Sequence, residues 1–165
     1  MKEFRGNGAI GALLDEYEKS ILELIAVIKE VSDEELMKTV DGKTKDPDCV
    51  SIQSILNHVI GSGYNYVIVI RKHLGERIEY LKPFHFDSVA EFEKEILKMF
   101  QFNEKLFEDH PNVKIEEYDP EKKILVRWGQ LYDIEQLFEH AILHILRHRR
   151  QIEKFILSAR LRDHF

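Results

Sequence analysis

The chain has 165 residues, a hydrophobic fraction of 44% and 24 Lys and Arg against 30 Asp and Glu, for a net charge of −6. That length suits a single domain with its own core, read here as residues 1–165, and the composition excludes a disordered chain. An acidic balance argues against nucleic-acid binding, because neutralising phosphates needs clustered Lys and Arg. Apolar runs such as Val67–Ile70 fall far short of the about 20 residues a membrane helix requires, which excludes a membrane partner. The lone Cys49 rules out an internal disulfide, and Met1–Gly8 lacks the apolar region of a secretory signal, so a cytoplasmic location is expected.

Within Gly8–Val31, the residues Ile10, Leu14, Tyr17, Ile21, Leu24, Ile28 and Val31 are spaced 4, 3, 4, 3, 4, 3, the stripe of an amphipathic helix. Ser32 and Glu35 form a capping-box pattern that predicts a short helix over Ser32–Thr39, followed by a polar loop over Asp41–Cys49. Ser51 opens a second long helix, with Ile52, Leu56, Val59, Gly63, Tyr66/Val67, Ile70 and Leu74 on its stripe. Tyr64–Ile70 is rich in strand-forming residues, but the helical period continues on both sides of it. Gly61 and Gly63, each costing about 1 kcal/mol in a helix interior, suggest close packing or room for a ligand.

Ser88 and Glu91 open a third helix striped by Val89, Phe92, Ile96, Met99, Leu106 and Phe107, with Asn103 on the seam. His110–Pro111 ends it. Val113–Trp128 is the least helical stretch, and two extended pieces flanking Asp119–Lys122 are expected to form a small hairpin. The last helix starts near Asp133, with Gln136 three residues on, and Ile134, Phe138, Ala141, Ile145, His148, Ile152 and Phe155 form its stripe. These elements predict an all-α four-helix bundle with a short extra helix, and the long links permit a topology other than simple up-down.

His140, His144 and His148 recur every four residues on the last helix, so they share a face, and two such imidazoles can bind one metal ion. A histidine-rich polar face is the alternative reading. At about 100° per residue, His148 lies about 40° from the stripe centre, His144 about 80° and His140 about 120°. His148 therefore points inward, His144 sits at the margin and His140 faces outward, which makes His144 and His148 the better pair. A buried imidazole needs a hydrogen-bond partner or a metal. A third ligand should come from a neighbouring helix. His58, the histidine most internal to the second long helix, is preferred over His73, His85 and His110. His-Glu-x-x-His, Glu-x-x-His and Gly-rich phosphate-loop patterns are missing.

Val50–His58 and His144–Ile152, read as VSIQSILNH and HILRHRRQI, make the chain resemble the DinB/YfiT-like family of four-helix-bundle metalloenzymes. That family opens its second long helix with a Ser-containing cap and carries a histidine about two turns in, matched here by His58. Its last long helix carries His-x-x-x-His followed by Arg-Gly-Gln, matched by His144, His148, Arg149 and Gln151, with Arg150 in place of the glycine. The resemblance implies a site of His58, His144 and His148 holding a divalent ion, zinc or nickel foremost, with water in the open positions. It also implies a small-molecule substrate and, in some members, a low-molecular-weight thiol. Members with known activities include thiol-dependent S-transferases and a maleylpyruvate isomerase, and others are described as hydrolases. No substrate motif is shared beyond the metal ligands.

Beside a plain helical dimerisation module with surface histidines and no metal, two functional readings follow. One is a metal-dependent enzyme of thiol-transfer or hydrolytic type, since three neutral imidazoles leave a divalent ion its full charge. The other is a non-catalytic, stress-related interaction protein with a structural or vestigial metal. Tyr17, Ser62, Tyr66 and Gln151 are candidate pocket residues, with packing or surface roles as the alternative. Arg147, Arg149, Arg150, Lys154, Arg160 and Arg162 read as surface ion pairs and helix-end charges, or as an anion site. Leu143 and Leu146, on the outward face, suggest a homodimer contact or packing against Val113–Trp128.

Overall fold

The computed structural model describes residues 4–162. Each helix expected from a capping signal starts at that signal. The Ser32 hydroxyl accepts from Glu35 N while Glu35 accepts from Ser32 N, which starts α2 (Asp33–Met37). Ser51 and Ser54 cap α3 (Ile52–His73) in the same reciprocal way. Ser88 Oγ accepts from Glu91 N at the start of α4 (Val89–Asp109), and Asp133 exchanges hydrogen bonds with Gln136 at the start of α5 (Ile134–Arg162). The first helix, α1, spans Gly8–Ile28. The Tyr64–Ile70 stretch is helical, because its buried residues continue the α3 stripe against α4 and α5.

α2 is shorter than the expected Ser32–Thr39 segment, since Lys38 is already extended. The hairpin before α5 is present but displaced. β1 (Ile124–Leu125) pairs antiparallel with β2 (Leu131–Tyr132), and the chain turns through residues 126–130 instead of 119–122. Two local features cause the shift. The Asp119 carboxylate accepts from Glu121 N and Pro120 fixes the next φ, so residues 120–122 wind into a 3₁₀ turn. Gly129 adopts φ +84, the left-handed conformation the true turn needs, and Val126 N donates to Gln130 O.

The packing order is not that of an up-down bundle. α1 packs on α5 and α4, and α3 packs on α4 and α5, so α1 lies diagonal to α3 and α4 diagonal to α5. The long links between helices make this crossing order attainable. Tyr17, Ile21 and Leu24 of α1, Leu56 and Val67 of α3, Phe92 and Met99 of α4, and Phe138 and Ile145 of α5 are buried in one shared core. Gly63 brings α3 close to α4: a Cβ there would lie 1.9 Å from Met99 Sδ. Arg71, itself buried near the end of α3, holds Glu76 of the following link at 2.8 Å and reaches Asp109 at the end of α4 at 2.9 Å. No described helix is long and apolar enough to cross a membrane.

Candidate metal centre

The contact between α3 and α5 brings three imidazoles from two helices to one point. The Ser51 cap sets the start of α3 and places His58 about two turns in, on the flank that meets α5. The Asp133–Gln136 box does the same for α5 and puts His144 and His148 one turn apart. His148 is buried, while His144 and His58 are half-buried, the inward-to-margin order that the helical wheel gives for the α5 pair. One ligand atom from each of the three lies within 4.8 Å of the others. His58 Nε2 and His144 Nε2 are 3.0 Å apart. A tetrahedral ion with nitrogen ligands at about 2.05 Å sets its donors about 3.3 Å apart, so the His58–His144 pair lies close to that spacing.

On the far side, the ring nitrogens of His58 and His148 have acceptors. His58 Nδ1 lies 3.0 Å from Asp48 Oδ2, and His148 Nδ1 lies 3.1 Å from Gln151 Oε1. Both acceptors hold the proton on Nδ1 and leave Nε2 with its lone pair, the arrangement that orients histidine metal ligands. Two Nε2 lone pairs meeting at 3.0 Å repel unless a proton or a cation lies between them. Burial, and then the neighbouring imidazoles His148 and His58, push His144 far below the ordinary histidine range. Burial and then His58 lower His148 in the same direction. The α5 pair therefore offers neutral imidazoles at neutral pH, and a cation suits this donor set. Among the described residues, no fourth His, Cys, Asp or Glu ligand atom joins the group.

The other described histidines lie outside this group. His73 is exposed at the end of α3, His85 faces Asp87 at 3.3 Å, and His110 pairs with Glu76 at 2.6 Å. His140 differs from the wheel, which turned it outward. It is half-buried because the β1–β2 hairpin folds over it, with Trp128 stacked on its ring at 5.0 Å and Tyr132 at 5.7 Å. Burial lowers its pKa too.

Of the candidate pocket residues, Gln151 orients His148, and Tyr66 meets the His144 ring edge-on at 5.8 Å. The Tyr66 hydroxyl bonds Ser62 and is pushed up to about 12, chiefly by burial. Tyr17 is a core residue whose buried hydroxyl has no hydrogen-bond partner among the described residues. Asp48 and Cys49 belong to the loop read only as polar. Cys49 Sγ lies 3.8 Å from Gln151 Oε1 and 3.4 Å from Asp46 Oδ2, at the rim of the centre, and burial raises its pKa, which keeps it a thiol. Of the basic residues on α5, Arg149 pairs with Glu23 of α1 and Arg160 with Glu30 just beyond that helix, while the Arg162 side chain lies outside the described residues. Arg147 is exposed near the centre, and its charge lowers both His144 and His148. Leu143 remains exposed and Leu146 half-buried. Comparison with protein-family models and with curated proteins found no match.

Proposed function

We propose that the protein is a divalent-metal enzyme of the DinB/YfiT-like kind, acting on a small molecule by thiol transfer or hydrolysis, with His58, His144 and His148 as the metal ligands. The observation that carries this reading is the convergence of three imidazoles from two helices without a fourth protein donor among the described residues. Such a set suits zinc or nickel. The ion would supply Lewis acidity, bringing a coordinated water toward a pKa of about 7 or taking the proton from a coordinated thiol. The chain's own part is positional. Asp48 and Gln151 keep the Nδ1 protons in place, Tyr66 packs against the His144 ring, and Arg147 provides positive charge for an anionic group.

Elemental analysis of protein purified without a histidine tag tests this reading. About one divalent ion per chain is expected, lost in the His144→Ala/His148→Ala double variant. Equal metal content in the two forms would remove the proposal. A second reading, a non-catalytic bundle with a structural or vestigial ion, is favoured by one observation: cavities of about 190 Å³ and about 80 Å³ are lined by none of the three histidines. Cobalt-substituted protein separates the readings. A change in its visible spectrum on adding a small thiol marks an exchangeable coordination position, and an unchanged spectrum favours the structural ion.

A further inference from the structure

A file of aromatic rings leads from the protein surface to the candidate metal centre. Trp128, the only tryptophan in the chain, lies nearly parallel to His140 at 5.0 Å and 22°. His140 stacks in turn toward the metal-ligand candidate His144 at 6.4 Å and 25°. Tyr66 sets its ring edge-on to Trp128 at 6.2 Å, to His140 at 5.4 Å and to His144 at 5.8 Å. Tyr132 closes the outer end, 6.0 Å from Trp128.

The outer two rings are held in place. Gln130 Oε1 accepts from Trp128 Nε1–H at 2.9 Å and from the Tyr132 hydroxyl at 2.6 Å. One amide oxygen therefore fixes both aromatic bodies, on a turn that Gly129 sets in a left-handed conformation. Trp128 is still 47% exposed although one of its faces is covered by His140, so its free surface is turned to solvent. Preorganised aromatic surface of this kind favours another ring, which gains contact area and an edge or offset-stacking geometry at little ordering cost. A positively charged ligand is disfavoured beside Arg147 and a bound dication.

We propose that Trp128 and Tyr132, clamped by Gln130, form a specificity subsite that takes the aryl group of a small anionic ligand whose head group reaches the ion held by His58, His144 and His148. This rests on the metal reading above. Because two ring-to-ring steps of 5.0 Å and 6.4 Å separate Trp128 from His144, with the His140 ring between them, the fitting ligand joins head and ring by an extended flexible linker that passes His140.

Titration calorimetry on zinc-loaded protein, with acetohydroxamate and the longer 6-phenylhexanohydroxamate as probes, tests the subsite apart from the centre. Both probes carry the same metal-binding head, and only one carries a ring. The aryl probe is expected to bind about tenfold more tightly to the wild type, and the gap is expected to close in Trp128→Ala and to narrow in Trp128→Leu, which keeps an apolar body without the ring. Zinc content, measured first in each form, is expected to be equal. If zinc and acetohydroxamate bind and the aryl probe gains nothing, the subsite is overturned while the metal centre stands. A gap that survives in both Trp128 variants likewise overturns the assignment. If zinc does not bind, the centre falls and the subsite with it.

Discussion

Asp48 Oδ2 stands 3.0 Å from His58 Nδ1, so a loop residue orients a helix residue ten positions further along the chain. The carboxylate favours the Nδ1–H tautomer and raises the electron density of the ring, and both effects strengthen Nε2 as a donor. Asp48→Asn keeps an acceptor but loses the charge. Its metal affinity is expected to fall by about tenfold, and that of Asp48→Ala by up to about a hundredfold, in competition with a chelator. Equal affinities across the three forms would place Asp48 outside the centre.

Metal binding should be visible as stability, because an ion that binds only the folded chain adds about 2.7 kcal/mol at a hundred times its Kd. For a chain of this size, that corresponds to a rise in Tm of roughly 5–10 °C. Zinc is expected to raise the Tm of the wild type by this amount, with EDTA reversing it, and to leave His58→Ala and the His144→Ala/His148→Ala variant unmoved. His140→Ala is expected to retain most of the zinc response, since His140 lies under Trp128 and outside the ligand group.

The metal-free protein should lose stability in mild acid. His148 is pushed down from its ordinary 6.5 to about 4, by burial first and then by His58, and His144 is shifted in the same direction. The unfolded chain therefore binds more protons than the folded one between about pH 6.5 and about pH 4. Stability is full above the unfolded value and falls as the pH drops through this window. The urea midpoint of the apoprotein is expected to be lower at about pH 5 than at about pH 7.5, with a smaller drop in His148→Leu. A midpoint that rises on acidification would contradict the neutral burial of these rings.

The helices were legible because α3, α4 and α5 each carry two independent signals, an apolar stripe and a capping residue, while α1 carries the stripe and α2 the cap. Ser32, Ser51, Ser88 and Asp133 all cap where the sequence placed them. The α5 part of the site was legible for the same reason, since a wheel anchored on the stripe orders His148 inward of His144. The hairpin was harder to place, as strands of two residues have no alternation to read. The roles of Asp48 and Trp128 left no local signal. Each acts by touching a helix it does not belong to, and periodicity carries no information about such contacts. His140 shows the same limit: its angle from the core stripe was read from the sequence, but the hairpin that covers it was not.

Gly63 explains how α3 and α4 approach behind the centre. Asn103 Nδ2 reaches Gly63 O at 3.4 Å, and a Cβ at position 63 would meet Met99 Sδ at 1.9 Å and Met99 Cγ at 3.0 Å. Alanine would gain about 1 kcal/mol in helix propensity but would force the buried Met99 off its position. Overpacking of this kind costs about 1–3 kcal/mol, so Gly63→Ala is expected to be net destabilising by up to about 2 kcal/mol. Gly61, on the same helix, has no atom within 4 Å of an added Cβ, and Gly61→Ala is expected to stabilise by up to about 1 kcal/mol. Met99→Val shortens the side chain that Gly63 accommodates, so Gly63→Ala should cost less in that background than in the wild type. Urea denaturation of the four-member cycle checks this, and simple additivity would mean that Gly63 is not set by its contact with Met99.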